Sequence, residues 1–272
     1  MPLNGAGWSP RTIKRYIEGL RTGTEVVRVE TDIGDGYLKV LGNPAGPHAL
    51  ACEWIGTRLA EYLRLPTLDY SLIEILDGDE VPLASGAVAE AGTAFITRAE
   101  EGYPWGGDPA SLAEIANPEA LSGIVVLDTW IRNCDRYRER PLRTNRDNVF
   151  FSRVEGMPSR VMVKAIDHTH AFTCGQDLNR AIANIDSVQD ERIYGRFPEF
   201  VDYLTEGHVG LFVERLRNLD ERFIQSLMDS VPVSWQLAGE ARDAIRLFLH
   251  DRARFVVDTL GRRIWRQPEG TL

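Results

Sequence analysis

The stretch Gly102-Tyr103-Pro104-Trp105-Gly106-Gly107 gathers backbone breakers more densely than any other part of the chain. Such a cluster is the best place to divide the chain, here into 1–102 and 103–272. The two parts carry different patterns. Before the divider, apolar residues at Ile13, Tyr16, Ile17 and Leu20 predict a helix over 12–20. Two β-branched runs, 24–29 and 37–41, flank the turn Asp32-Ile33-Gly34-Asp35-Gly36 and read as a hairpin. Leu50, Trp54, Ile55, Leu59, Tyr62 and Leu63 keep one helical face over 48–63, and strands are expected at 70–76 and 93–98. After the divider the pattern is mainly helical, at 109–116, 118–133, 199–205, 209–218, 220–229 and 235–261. A β island at 148–153 and 160–166 interrupts it, joined by the hairpin signal Glu155-Gly156-Met157-Pro158. The expectation is an α+β chain of two lobes, a small β-rich N-lobe and a larger, mainly helical C-lobe, with a cleft between.

The 272 residues suit one large domain or two lobes sharing a core. With 31 basic against 40 acidic residues the net charge is −9, the wrong sign for direct, general nucleic-acid binding or for an anionic membrane surface. The longest apolar run, Ile124-Val125-Val126-Leu127, falls far short of the roughly 18 residues that span a bilayer. Met1-Pro2-Leu3-Asn4-Gly5 has neither a basic nor an apolar region of a secretory signal. Three cysteines, Cys52, Cys134 and Cys174, with no CxxC spacing, predict no disulfide framework and a reducing, cytoplasmic setting.

Five polar residues sit where the local pattern gives no reason for them. Lys39 interrupts Tyr37-Leu38-Lys39-Val40-Leu41; Glu53 lies on the first long helix; Asp135 follows a helix; Asn148 opens the β island and Asp167 closes it. Alone, each is an ordinary strand, helix or turn residue. In this order and on these elements they match the needs of phosphoryl transfer. A triphosphate needs amides from a glycine turn and a cation, here Gly34, Gly36 and Lys39. The lysine needs an anion, Glu53. Magnesium needs oxygen ligands, Asn148 and Asp167. The attacking hydroxyl needs a carboxylate to take its proton, Asp135.

The run Gly36-Tyr37-Leu38-Lys39-Val40-Leu41-Gly42-Asn43-Pro44-Ala45-Gly46, with Leu50-Ala51-Cys52-Glu53 and Leu63-Arg64-Leu65-Pro66, resembles the N-lobe of HipA-like kinases. Asp128-Thr129-Trp130-Ile131-Arg132-Asn133-Cys134-Asp135-Arg136, Asp147-Asn148-Val149-Phe150-Phe151 and Ile166-Asp167-His168-Thr169-His170-Ala171-Phe172 resemble the catalytic and metal-binding segments of that family and, more distantly, of phosphoinositide kinases. The resemblance covers roughly residues 20–175. It implies a two-lobed protein-kinase-like fold, ATP with Mg2+, and transfer of the γ-phosphate to a hydroxyl. By it, Lys39 contacts the α- and β-phosphates and pairs with Glu53, Asp135 is the catalytic base, and Asn148 and Asp167 hold the metal. Asp128 either braces the catalytic loop or lies on the helix surface. Two features depart from the family. Asn148 follows Asp135 by 13 positions, a longer loop than usual, and the turn before Lys39 carries two acids, Asp32 and Asp35.

That long loop reverses the sign of an acidic chain, and Arg136, Arg138, Arg140 and Arg143 are candidates to receive an acidic or phosphorylated acceptor. The alternative is a solvated insertion. Asp167-His168-Thr169-His170 lacks the further ligands of a zinc site, and Cys134 has no base at a suggestive position. Trp54 and Trp130 read as core; Trp105 either packs the divider or lines the nucleotide edge. The acceptor is an unidentified hydroxyl, with protein Ser or Thr the first expectation. A small-molecule or lipid head-group kinase and a nucleotide-binding pseudokinase are the alternatives.

Overall fold

The computed structural model describes residues 7–265. The Met1–Gly5 stretch discussed above lies outside them. An antiparallel five-stranded sheet comes first, built from β1 (Ile13–Gly19), β2 (Val27–Thr31), β3 (Gly34–Leu41), β4 (Tyr70–Ile75) and β5 (Glu90–Arg98) in the order β1-β2-β3-β5-β4. Helix α1 (Pro47–Tyr62) lies between β3 and β4 in sequence and packs on the sheet. Strand alternation decides where each side chain of β3 goes. Leu38 and Val40 join Val27, Val29, Ile73, Ala94 and Ile96 in a small apolar cluster on one face. Lys39 therefore points to the opposite face, toward α1.

Beyond Arg98 the chain forms β6 (Gly102–Pro104), α2 (Glu119–Ile131), β7 (Tyr137–Arg138), β8 (Arg143–Thr144), β9 (Val149–Val154), β10 (Met157–Ala165), α3 (Ile185–Val188), α4 (Glu206–Arg217), α5 (Glu221–Asp229) and α6 (Gly239–Arg263). A three-stranded sheet runs β10-β9-β6, and β7 pairs with β8. Thr205 and Asp220 cap α4 and α5 through their side-chain oxygens, which accept from the amides of His208 and Arg222 and satisfy exposed helix-end donors. Helix α2 is buried along nearly its whole length, because its apolar run meets α4 and α6 on one side and β10 on the other. Among the described residues no helix is long and apolar enough to cross a membrane.

The large apolar cluster does not stop at the divider. It takes in Leu50, Trp54, Ile55 and Leu59 of α1 together with Ile124, Trp130, Val149, Phe172 and Phe248. Helix α1 thus belongs to a core that continues through the helical part. Trp54 packs edge-on to Tyr70 and Phe95, and its indole nitrogen donates to Ser230 Oγ at 2.9 Å. Trp105 is buried against Phe197 and Phe200, so it packs the divider.

Three sequence expectations change. Ile13–Gly19 forms strand β1 where a helix over 12–20 is expected. Its apolar spacing is helical, but the segment lies at a sheet edge, pairs with β2 through irregular register, and places Arg15 on Glu30 at 2.8 Å. Strand pairing supplies more partners there than a short exposed helix would. The 109–116 and 199–205 segments are 3-10 turns, Pro109–Glu114 and Pro198–Tyr203, each started by proline. The hairpin turn is tighter than expected: Thr31 pairs with Gly34 across Asp32-Ile33, so Gly34 and Gly36 are residues of β3. Gly36 lies between Val29 and Arg98 in the sheet, and a Cβ there would come within 2.8 Å of Ile96 Cδ1. Its smallness serves sheet packing, and the expected glycine cradle for phosphates is not a turn.

Gly56 of α1 marks the closest approach between that helix and the segment after β10, since a Cβ would fall 2.3 Å from His168 Cβ. Gly56→Ala is expected to destabilise the fold by about 1–3 kcal/mol through overpacking. Gly210→Ala, where an added Cβ meets nothing within 4 Å on α4, is expected to stabilise by about 0.5–1 kcal/mol. Urea titrations of both variants against the parent check the pair; equal midpoints would refute the packing argument.

Candidate active site

Lys39, Glu53 and Asp167 meet directly. Lys39 Nζ donates to Glu53 Oε2 at 3.0 Å and to Asp167 Oδ1 at 3.1 Å. The second contact joins residues 128 positions apart in sequence, and one ammonium serves both carboxyl groups. Glu53 Oε2 also accepts the His168 amide at 2.8 Å, and Thr169 Oγ1 donates to Asp167 Oδ1 at 2.6 Å. Burial disfavours the Lys39 charge, but the two carboxylates outweigh it and hold its pKa above the ordinary lysine value. Burial likewise works against the Asp167 carboxylate, and Lys39 and Thr169 reverse it, leaving Asp167 below the usual carboxylate range. Glu53 is pushed upward, chiefly by burial and with help from the negative charge of Asp167, against the pull of Lys39.

Asp135 anchors a second group. Its Oδ2 accepts from Asn148 Nδ2 at 2.9 Å and from Asn145 Nδ2 at 3.0 Å, and its Oδ1 is ion-paired with Arg143. His170 Nδ1 lies 3.8 Å from Oδ2. The long loop brings Asn148 back because its extra residues fold into the β7–β8 hairpin followed by the 3-10 turn Arg146–Asn148. The two acids of the early turn are also accounted for: Asp35 pairs with Arg28 at 2.9 Å, and Asp32 accepts the Arg11 and Thr12 amides.

Arg136 joins the two groups, and this corrects its expected part in acceptor binding. Its side chain has no solvent exposure; Nε donates to Asp128 Oδ2 at 3.1 Å, and the Nη atoms donate to the carbonyls of Asn148 and Ile166 at 3.0–3.3 Å. The backbone preceding Asp167 and the backbone of Asn148 are therefore tied to one guanidinium, and that guanidinium to α2. Asp128, fully buried, is the brace and not a surface residue; burial pushes its carboxyl up to about 6 against the Arg136 charge. The loop leaves α2 through Arg132 in the left-handed region, φ 53°, which turns the chain toward Asp135. Of the other loop arginines, Arg138 donates to the Pro141 carbonyl at 3.2 Å and Arg143 is on Asp135, while Arg140 is exposed on the hairpin.

Asn145 and Thr169 were missed in the sequence, where a loop asparagine and a threonine carry no distinguishing signal. The cysteine expectation is also corrected. Cys134 and Cys174, 40 residues apart, are joined as a disulfide with Cα atoms 5.6 Å apart, leaving Cys52 buried and free. The Phe172 amide donates to the Ile131 carbonyl at 2.7 Å, which lays the segment after Asp167 against the end of α2 and brings the sulphurs together. His168 is buried with both ring nitrogens lacking a hydrogen-bond partner; burial first, then the Arg136 charge, holds it far below the usual histidine range and so neutral.

A β-sheet lobe whose buried lysine reaches across to a helix glutamate and to an aspartate ending a hairpin of the helical lobe defines a kinase-like molecule. The chain belongs to the HipA-like kinase family, whose model matches residues 29–264, well beyond the segments that carry the motifs. Among solved structures it is similar to a Helicobacter pylori proinflammatory kinase, CtkA, at 12% identity and a TM-score of 0.59, over 96% of this chain and 99% of that one. No curated protein matches the sequence.

Arg136→Ala leaves Asp128 buried without its cation and is expected to cost about 3–5 kcal/mol at pH 7.5. The folded pKa of Asp128 lies above its ordinary 3.8, so the unfavourable charge is present above that pKa and removed below it. The loss in Arg136→Ala is accordingly expected to shrink as pH falls toward 5. Urea midpoints at pH 5 and 7.5 check this; a loss equal at both would contradict it.

Proposed function

We propose that this chain is an ATP- and Mg2+-dependent kinase that transfers the γ-phosphate to a hydroxyl, with protein Ser or Thr as the acceptor class. The observation that carries the reading is the Lys39–Glu53–Asp167 contact, which puts in one crevice a lysine held above its ordinary pKa and a carboxylate held below its own, each favoured in its charged form by the other. Polyphosphate binding needs that pairing of a cation for the phosphate oxygens with an anion for the metal.

In this reading Lys39 holds the α- and β-phosphates, and Glu53 keeps the ammonium in position. Lys39 and Thr169 both reach Asp167 through Oδ1, and Asn148 meets Asp135 through its amide nitrogen. Asp167 Oδ2 and Asn148 Oδ1 are then the oxygens to hold magnesium, a hard cation suited to such donors. Two protein oxygens suit magnesium, an ion that keeps several water and phosphate ligands. Bound there, magnesium supplies charge neutralisation to the phosphates. Asp135 orients the acceptor hydroxyl and takes its proton as the new O–P bond forms and the bond to the β-phosphate oxygen breaks, releasing ADP. Asn145 and Asn148 hold the carboxylate in place for that step. In the same reading the described residues before and after the 102/103 boundary are the two lobes about this crevice.

ATP with Mg2+ is expected to raise the melting temperature more than ATP alone, and Asp167→Asn to remove the difference. Asp135→Asn is expected to retain the ATP shift while losing at least about 100-fold in γ-phosphate transfer. Thermal shift assays and transfer of labelled phosphate in an acceptor screen measure these. Transfer undiminished in Asp135→Asn would defeat the assignment.

A further inference from the structure

The acceptor hydroxyl has to reach Asp135, and one surface side chain already occupies that carboxylate. The Asp135 side chain is 6% exposed, whereas Arg143, which pairs with its Oδ1, is 44% exposed on the β7–β8 hairpin. The other oxygen, Oδ2, is held by the two buried-side amides of Asn145 and Asn148. The solvent side of the carboxylate is thus covered by a guanidinium on a short surface hairpin. Neighbouring arginines are engaged elsewhere: Arg136 is the internal brace, Arg138 turns back to the Pro141 carbonyl, and Arg146 binds Glu199.

Building on the phosphotransfer reading, we propose that Arg143 is a specificity-determining residue that selects acceptor peptides carrying Asp or Glu beside the hydroxyl residue. Such a carboxylate offers the guanidinium a partner equivalent to Asp135. Arg143 then exchanges one charge-assisted pair for another, and Asp135 is released to receive the hydroxyl proton. A neutral flank offers no exchange, so Arg143 stays on Asp135; a basic flank adds repulsion. Selection is consistent with local charge: in a chain of net −9, the hairpin carries Arg138, Arg140 and Arg143 against Glu139 and is locally basic. Leu142, 70% exposed next to Arg143, adds apolar surface where the peptide would lie.

The test uses the full chain with ATP and Mg2+ and three serine peptides differing only in flanking Glu, Gln or Lys. The Glu peptide is expected to exceed the Gln peptide in kcat/KM by about 10-fold, the scale of one charged hydrogen bond. In Arg143→Ala the ratio should fall to about one, mainly through KM of the Glu peptide, and in Arg143→Glu the order should reverse in favour of Lys. A second measurement does not depend on transfer: fluorescence anisotropy with labelled Glu peptide should show tighter binding to Asp135→Asn, in which Arg143 has lost its internal partner, and loss of that gain in Asp135→Asn/Arg143→Ala. Transfer by the parent with a Glu preference unchanged in Arg143→Ala, or equal anisotropy for Glu and Lys peptides, overturns the assignment of Arg143 alone. Absence of both ATP binding and transfer in the parent overturns the kinase reading and this inference with it.

Discussion

Lys39 is the point on which the two halves of the molecule depend. Its ammonium is nearly removed from water and held by carboxylates from α1 and from the end of β10. An unpaired charge there would cost several kcal/mol, whereas the paired arrangement gives the ammonium two carboxyl partners at once. Because the lysine comes from the sheet, the contact also fixes the relation of sheet, helix and hairpin. The packing of Gly56 against His168 supports the same junction from its apolar side. A crevice so assembled presents charges fixed by the fold, the kind of electrostatic preorganisation on which the proposed phosphoryl transfer would draw.

Arg136 carries out the corresponding task within the helical part. Its delocalised fork meets one carboxylate and two carbonyls from three different segments, a geometry a lysine could not reproduce. The carbonyls it binds belong to Asn148 and to Ile166, the residue before Asp167, so a residue with no solvent exposure sets the two proposed metal ligands. The same loop then uses Arg143 in the opposite sense, at the surface. Two arginines seven positions apart, alike in the sequence, differ in role because one follows the buried end of α2 and the other lies on the outer strand of a hairpin.

Lys39, Glu53, Asp135, Asn148 and Asp167 stand out in order and spacing because they interrupt otherwise apolar or regular patterns, and the structure brings Lys39 to Glu53 and Asp167, and Asn148 to Asp135. What could not be read were contacts made by residues distant in the chain. Nothing local distinguishes Asp128 on the surface from Asp128 buried beneath Arg136, and no cysteine spacing foretells a pair 40 residues apart. The 13–19 segment is the clearest failure: its apolar period is helical, and a strand neighbour supplied by β2 decided otherwise.

The sequence by itself determined the succession of a β-rich and a helical part, the alternation that turns Lys39 away from Leu38 and Val40, and the set of polar groups available for chemistry. These follow from local stereochemistry and side-chain period, which act over a few residues. Tertiary structure alone decided that one core runs through both parts, that Lys39 serves Glu53 and Asp167 together, that Arg136 is internal and that Arg143 covers Asp135. Each of those depends on burial and on Coulomb interaction over a few ångströms, and such distances between remote segments exist only once the chain has folded.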